Sequence, residues 1–200
     1  MKRTLFSLIA LFAFGLLSAQ EEPSTSGFKS GDVFASGTVS FSSQKNGDAK
    51  INQFAVAPAV GYFVSDNMAI GIALGYTSRD YKPSDEKYTS LQAGIFGRYY
   101  FNPANKFTIY GQLNAAYVTS KREQNFGSGI TEYKENGFAV AAGPGFNYWL
   151  SNHLALEANF GVIGYSSTKP DDSSANPEST NTFNIGLDLA NINFGLVYKF

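Results

Sequence analysis

Apolar side chains alternate with small or polar ones along most of this chain, and that alternation restricts the fold more than any other feature. In residues 68–76 the even positions hold Met, Ile, Ile, Leu and Tyr, whereas the odd positions hold Ala, Gly, Ala and Gly. A period of two is that of a β-strand, because successive side chains of a strand point to opposite faces. A helix would repeat its apolar residues every three or four positions. This segment is therefore predicted to be a strand with one apolar face.

The same alternation recurs in eight segments, joined by long and short connections in strict alternation. Strands of ~9–11 tilted residues span a bilayer, and closure into a barrel satisfies the backbone donors and acceptors that lipid leaves unpaired. Short turns at one end and longer loops at the other are typical of bacterial outer-membrane barrels. The sequence therefore predicts an all-β fold, an eight-stranded antiparallel up-and-down transmembrane β-barrel. The predicted strands are residues 33–41, 53–64, 68–76, 91–101, 107–117, 138–148, 154–162 and 183–200.

The N-terminus lies outside this pattern. Residues 1–19 begin with Lys2 and Arg3, continue through an apolar run and end at Ala19, as a secretory signal peptide does. Because the run is shorter than the ~20 apolar residues of a spanning helix, a membrane anchor is the weaker interpretation. Residues 20–30 are rich in Ser, Pro and Glu and are predicted to be a flexible periplasmic leader. Residues 31–200 form the predicted barrel domain.

The composition also favours a surface that faces lipid. Only 16% of the residues are charged, against roughly 25% in an average soluble domain, and there are 18 Phe and 12 Tyr. The absence of cysteine excludes disulfides and thiolate metal sites. Aromatics beside the short turns predict a periplasmic girdle of Tyr62, Phe63, Tyr99, Tyr100, Phe101, Tyr148, Trp149, Tyr198 and Phe200. A second girdle at the loop ends is predicted from Tyr76, Tyr88, Tyr117, Tyr133 and Tyr165.

Two features predict local irregularities in the ladder. Pro58 and Pro144 lie inside predicted strands, and proline has no N–H to donate, so each should mark a bulge or another irregularity. In the last strand the apolar residues change from odd to even positions near Ala190 and Asn191. One extra residue there would restore a single lipid face, which predicts a β-bulge. The alternative is a shorter last strand whose first half belongs to the loop.

The residues Gly61-Tyr62-Phe63-Val64-Ser65-Asp66-Asn67 and the terminal Tyr198-Lys199-Phe200 give the chain a family resemblance. It resembles the small eight-stranded outer-membrane β-barrels, such as the OmpA transmembrane domain and OmpX, and the outer membrane protein β-barrel domain of Gram-negative bacteria. The resemblance implies insertion into outer-membrane lipid, as a monomer. It also implies that Phe200 is an assembly signal read by the outer-membrane assembly machinery. Phe200 is equally suited to a girdle position, and the two roles are compatible.

Three charged residues are predicted to face the lumen, namely Arg98, Glu157 and Lys199, together with several Asn and Gln side chains. Eight strands leave an interior just wide enough for side chains to fill, which predicts a filled barrel rather than a porin. Buried charges need partners, so we predict a lumen ion-pair network centred on Glu157. A structural polar core is the preferred interpretation of this network, and a gate is the alternative.

Catalytic and cofactor chemistry has little support. The one histidine, His153, lies in a short periplasmic turn and has no evident companion nucleophile, so no enzymatic activity is expected. Asp171, Asp172 and Glu178 in the last loop lack the spacing of a calcium loop. No phosphate loop, metal triad or basic stripe is present, so we expect no cofactor, no metal and no nucleic-acid partner.

These observations favour a non-enzymatic outer-membrane protein with a structural, adhesion or surface-interaction role carried by four extracellular loops. The alternative is a narrow channel or transporter for small or hydrophobic solutes.

Overall fold

The structure is a computed structural model that describes residues 27–125, 129–171, 178–186 and 192–200. The predicted signal peptide and the first part of the predicted leader lie outside these residues. Among the described residues, no helix is long and apolar enough to cross a membrane. The strands are β1 (Val33–Asn46), β2 (Ala49–Phe63), β3 (Met68–Lys82), β4 (Glu86–Tyr100), β5 (Phe107–Asn125), β6 (Ile130–Trp149), β7 (Leu154–Asn159), β8 (Ile163–Pro170), β9 (Thr180–Ile185) and β10 (Asn193–Lys199).

These segments form one closed barrel. Each strand from β1 to β6 pairs antiparallel with the next, and β1 pairs with β10, which closes the sheet on itself. β7 and β8 both pair with β6 and are two halves of the seventh barrel strand. β9 and β10 are likewise the two halves of the eighth, because they pair with β8 and β7. The predicted all-β, eight-stranded antiparallel barrel is confirmed.

The strands continue well beyond the segments in which apolar residues alternate. Residues 77–89 and 120–136 were expected to be loops, yet β3 runs to Lys82 and β5 to Asn125. Outside the membrane both faces of a strand are wet, so the alternation disappears although the backbone ladder persists. The β1–β2, β3–β4 and β5–β6 connections, predicted to be extracellular, are therefore extended hairpins with at most four residues between their strands.

The seventh strand contains a bulge that the alternation did not predict. Asn159 pairs with Gly145 and Ile163 pairs with Ala142, so three residues of this strand oppose two residues of β6. The lipid-facing positions consequently change from even, with Leu156 47% exposed, to odd, with Ile163 44% exposed. The sequence placed Val162 on the same face as Leu156, which is wrong because the bulge shifts the parity by one residue.

Both prolines mark irregularities, as predicted. Pro144 lies opposite the bulge, where its carbonyl oxygen accepts a hydrogen bond from Phe160 N at 3.2 Å. Around Pro58 the pairing of β2 with β3 stops after Val56–Tyr76 and resumes at Ala59–Ala73 without a change of register.

In the last barrel strand the exposed apolar side chains change from odd to even positions, as the sequence indicated. Phe183 and Ile185 are exposed in β9, whereas Phe194 and Leu196 are exposed in β10. The bulge predicted at Ala190-Asn191 lies outside the described residues.

The predicted girdle is split between the two faces of the wall. Tyr62, Tyr99 and Tyr148 are exposed on the outside, whereas their chain neighbours are buried inside the barrel. The assignment of Phe63, Tyr100 and Trp149 to the girdle is therefore wrong, because adjacent residues of a strand must face opposite sides. At the other end, Tyr88 and Tyr133 line the extracellular mouth from inside instead of facing lipid.

The interior of the periplasmic half is an aromatic-rich core. The predicted leader contributes to it, since Phe28 is only 3% exposed and packs among the ring side chains of the barrel. A segment predicted from its composition to be a flexible leader thus supplies one side chain of the core. The core consists of Phe28, Phe34, Phe63, Ala69, Phe96, Tyr100, Tyr110, Trp149, Ala155 and Val197.

Candidate functional site

The lumen is crossed by an ion pair between Arg98 on β4 and Glu157 on β7. Arg98 Nη1 donates to Glu157 Oε2 at 2.6 Å and Nη2 donates to Oε1 at 3.2 Å. Both side chains are 3% exposed. Because β4 and β7 are not neighbours in the sheet, the pair joins opposite walls of the barrel. The fork-shaped contact fixes both partners in direction as well as in distance.

Aromatic rings surround the guanidinium group. The Arg98 Cζ atom lies 4.6 Å from the ring centre of Tyr110, 5.0 Å from that of Phe96 and 5.4 Å from that of Phe34. Ring faces attract a cation, so these contacts offset part of the cost of removing the charge from water. The position of Arg98 is therefore set by a carboxylate on one side and by rings on the others.

Amide side chains extend the ion pair into a polar layer. Gln112 Oε1 accepts from Arg98 Nε, and Asn159 Nδ2 donates to Glu157 Oε1 at 3.3 Å. Gln112 in turn donates to Asn114, and Asn193 donates to Asn159. The layer thus runs from β5 across β4 and β7 to β10. Only its centre, Arg98 and Glu157, is fully buried, and a buried pair with several hydrogen-bond partners favours a single arrangement of the walls.

The structure places Lys199 outside this layer. Lys199 Nζ donates to the carbonyl oxygen of Gly27 and lies 3.9 Å from Asp32 Oδ2. The predicted partnership with Glu157 is wrong because Glu157 pairs with Gly195, four residues earlier on β10. Four strand residues correspond to about 13 Å, which is beyond the reach of a lysine side chain toward that carboxylate. The sequence correctly predicted that Lys199 faces the lumen, but not its position along the barrel axis.

Residues 27–32 close the periplasmic mouth below the polar layer. The Phe28 ring lies 4.4 Å from that of Phe63, 4.8 Å from that of Trp149 and 5.2 Å from that of Tyr100. No alternation marks these residues, so sequence reasoning missed them. A single aromatic residue flanked by Gly27 and by Gly31 was the only available signal.

A cavity of about 320 Å³ lies on the extracellular side of the polar layer. Arg98, Gln112 and Glu157 form its floor, and its walls carry small side chains such as Ala59 and Ala141. Small residues leave space where the periplasmic half is filled by rings. The lumen is therefore a recess that ends at the ion pair.

The remaining predicted site residues lie at the surface. His153 Nδ1 is 2.8 Å from the carbonyl oxygen of Lys199, and its ring stacks on Tyr198. The Ser151 hydroxyl accepts from the backbone N–H groups of His153 and Leu154, which caps the turn. Phe200 is 68% exposed and packs edge-on against Tyr198.

Of the three acidic loop residues, Asp172 lies outside the described part of the chain. Among the described residues, no three His, Asp or Glu side chains are grouped as metal ligands.

Comparisons with known proteins agree with this architecture. Residues 6–200 match the family model described as outer membrane protein beta-barrel domain. The outer membrane protein OprG from Pseudomonas aeruginosa aligns with a TM-score of 0.54 and 17% identity over 87% of this chain and 98% of its own. A major outer membrane protein from Thermus thermophilus aligns with a TM-score of 0.50 and 11% identity over 84% and 98%. At these identities the two structures support the fold alone. No curated protein matches the sequence.

Proposed function

Because the chain belongs to the outer membrane protein beta-barrel domain family, we propose that it is a non-enzymatic outer-membrane protein with a structural, adhesion or surface-interaction role. Its extracellular hairpins carry that role. An outer-membrane location follows from the family. Two parts of the barrel can carry a function, the lumen and the extracellular end.

The closed lumen is the observation that carries the proposal. Arg98 and Glu157 join opposite walls, and below them Phe63, Tyr100 and Trp149 fill the periplasmic half with Phe28 packed among them. A hydrated ion would have to displace both the ion pair and this core. Breaking a buried pair costs on the order of 3–5 kcal/mol, so a permanently open path is not expected.

The extracellular end, in contrast, presents a long and braced surface. β5 and β6 have 19 and 20 residues. Since ~9–11 residues span the bilayer, this hairpin projects roughly 20 Å beyond it. Lys121 pairs with Glu123 at 2.7 Å and with Glu132 at 2.6 Å, and Arg122 pairs with Glu86 at 3.2 Å. Lys121–Glu132 and Arg122–Glu86 join neighbouring strands, and such cross-strand pairs support a fixed shape suited to contact with another surface.

The periplasmic end supports a further part of the proposal, namely recognition of Phe200 by the outer-membrane assembly machinery. Phe200 is exposed on the lipid-facing side beside Tyr198, and its backbone N–H donates to the Val33 carbonyl oxygen at 3.0 Å. The terminal ring is therefore accessible while its backbone is held in the closing ladder. The barrel acts as a monomer.

The environment of His153 supports the absence of catalysis. Its Nδ1 atom faces a backbone carbonyl, and the nearby Ser151 hydroxyl is used to cap the turn. A general base needs its ring nitrogen directed at a substrate or nucleophile, and Nδ1 of His153 is directed at the chain's own backbone.

Truncation of the long hairpin tests the proposal. Replacing residues 121–134 by a two-residue turn keeps Ser120 paired with Glu135, the next step of the β5–β6 register. Cells that display this variant should lose binding to solid surfaces and to host-cell matrix proteins that the wild type retains. A matched control shortens the β1–β2 hairpin between Ser42 and Gln53, which are also a register pair, and should retain binding. Equal binding by wild type, truncated variant and cells without the protein would contradict the role.

The recess of about 320 Å³ favours a second function, a narrow channel for small or hydrophobic solutes. In that case the Arg98–Glu157 pair is a gate. Single-channel recording in planar bilayers separates the two. Clear conductance steps from the wild-type protein, abolished by filling the recess with Ala141→Phe, would establish the channel and overturn the first proposal.

A further inference from the structure

We propose that residues 27–32 are a latch that fastens the first barrel strand to the last from inside the periplasmic mouth. This latch acts on the seam between β1 and β10, where the two ends of the barrel domain meet. The inference concerns closure of the barrel and does not depend on what the extracellular hairpins bind.

The seam has a short ladder. β1 pairs with β2 from Val33–Tyr62 to Asn46–Ala49, whereas among the described residues its ladder with β10 runs only from Phe34–Lys199 to Thr38–Gly195. No turn joins the two strands, because they lie at opposite ends of the sequence. A short pairing without a covalent connection opens more readily than a hairpin does.

The latch is anchored first by packing. Phe28 stacks on Phe63 of β2 and meets Trp149 of β6 and Tyr100 of β4 edge-on. Its backbone N–H donates to the Pro103 carbonyl oxygen at 2.8 Å. The ring therefore links β1 and its neighbour β2 to β4 and β6 across the mouth. Burial of one aromatic side chain contributes about 2–3 kcal/mol, so the anchor is substantial.

Glycine is required where the latch enters. Gly27 has φ +113°, and a Cβ atom there would lie 2.3 Å from the Pro103 carbonyl oxygen and 2.7 Å from Ala104 Cα. Both obstacles are backbone atoms of the β4–β5 turn, so no side-chain rotation relieves the clash. The entry point thus admits only a residue without a side chain.

Hydrogen bonds fix the path from this entry to β1. Ser30 N donates to Asp66 Oδ1 of the β2–β3 turn at 2.9 Å, and Gly31 N donates to the Phe63 carbonyl oxygen at 2.9 Å. Lys29 N donates to Asp32 Oδ2 at 2.9 Å, which closes the turn into β1. The segment is therefore tied to two periplasmic turns before the first strand begins.

Lys199 connects the latch to the last strand. Its ammonium group donates to the Gly27 carbonyl oxygen, lies 3.9 Å from Asp32 Oδ2 and sits 5.0 Å from the Trp149 ring centre. Lys199 also pairs with Phe34 in the β1–β10 ladder. The Lys199 side chain thus contacts both ends of the latch, Gly27 and Asp32, beside the first residue pair of the β1–β10 ladder.

Local hydrogen exchange on the mature full-length protein in detergent micelles tests the latch. Gly27→Ala introduces the backbone clash, and Lys199→Met removes the ammonium contacts while keeping the aromatic core. Each variant should speed exchange of amides in residues 33–38 and 195–200 by about tenfold or more, with amides of β3 and β4 unchanged. Lys106→Met is the matched control, because this periplasmic lysine lies over Tyr148 outside the latch.

A disulfide between Gly37→Cys and Leu196→Cys, a lipid-facing register pair, supplies the second measurement in this naturally cysteine-free chain. If the latch acts on the seam, oxidation of this pair restores slow exchange to the Gly27→Ala variant. Wild-type exchange at the seam in both variants would overturn the latch. Uniform acceleration in all strands, or no recovery with the disulfide, would also overturn it, since Phe28 and Lys199 would then serve the core alone.

Discussion

Arg98 and Glu157 are held by strands on opposite sides of the barrel, yet their side chains meet at 2.6 Å in the middle of the lumen. The pair therefore links two walls of the barrel and also closes the lumen. Its energetic value lies less in the attraction itself than in the cost of leaving one charge unpaired.

Replacement of Glu157 by Gln should lower the free energy of unfolding by about 3–5 kcal/mol, because Arg98 then remains buried without a counter-charge. Denaturant unfolding in lipid bilayers measures the loss, and Trp149, the single tryptophan, lies in the adjacent core and reports it by fluorescence. Glu132→Gln, which affects an exposed pair, should change stability by less than ~1 kcal/mol. The double variant Arg98→Met/Glu157→Gln should recover much of the loss, and failure to recover would indicate that the carboxylate acts through other partners.

Two adjacent aromatic residues test the assignment of wall faces. Phe63→Ala opens a cavity in the periplasmic core and should cost about 3–5 kcal/mol of unfolding free energy. Tyr62→Ala removes a side chain that faces lipid and should cost clearly less. Trp149 emission should shift only in the first variant, since Phe63 and Trp149 both contact Phe28. Equal effects of the two changes would mean that both rings lie on the same face.

The bulge in the seventh strand is tested by deleting Gly161. Without it, two residues oppose two, so Asn159 and Ile163 keep their partners Gly145 and Ala142, and Ile163 and Tyr165 still face lipid. The yield of heat-modifiable folded barrel should therefore stay close to that of the wild type. Deletion of Leu113, in a part of β5 that pairs regularly with both neighbours, is the contrast: a slip of one residue reverses the side chains beyond it, so the yield should fall sharply. A sharp fall without Gly161 would show that the extra residue is itself needed for folding.

The proposed assembly signal predicts that Phe200→Ala lowers the amount of protein in the outer membrane without lowering the stability of the barrel that does form. Phe101→Ala removes another exposed aromatic at the periplasmic rim and serves as the control. Phe200→Tyr should retain the wild-type level, because a ring remains at the terminus. Membrane fractionation of cells measures the level, and equal losses for Phe101→Ala and Phe200→Ala would assign Phe200 to the girdle alone.

Much of this architecture is predictable because it depends on local pattern. The alternation in residues 68–76 predicts β3 as it is observed, and the lumen-facing positions of Arg98 and Glu157 follow from the same parity. The bulge at residues 160–162 was missed because Val162 and Ile163 are both apolar, so either could face lipid. Phe28 was missed because no periodicity surrounds it.

The sequence alone determined the strand number, the up-and-down order and, wherever the alternation is regular, the sides of the wall, since each depends on residues close together in the chain. Only the tertiary structure decided which inward residues meet. Strand register sets depth along the barrel, and it places Glu157 beside Arg98 but leaves Lys199 with Asp32 and Gly27. The tertiary structure also decided how the last strand closes the barrel. Its final residues contact Val33 and the latch, which lie far from them in the sequence. Such contacts arise from closure of the sheet, which no local pattern encodes.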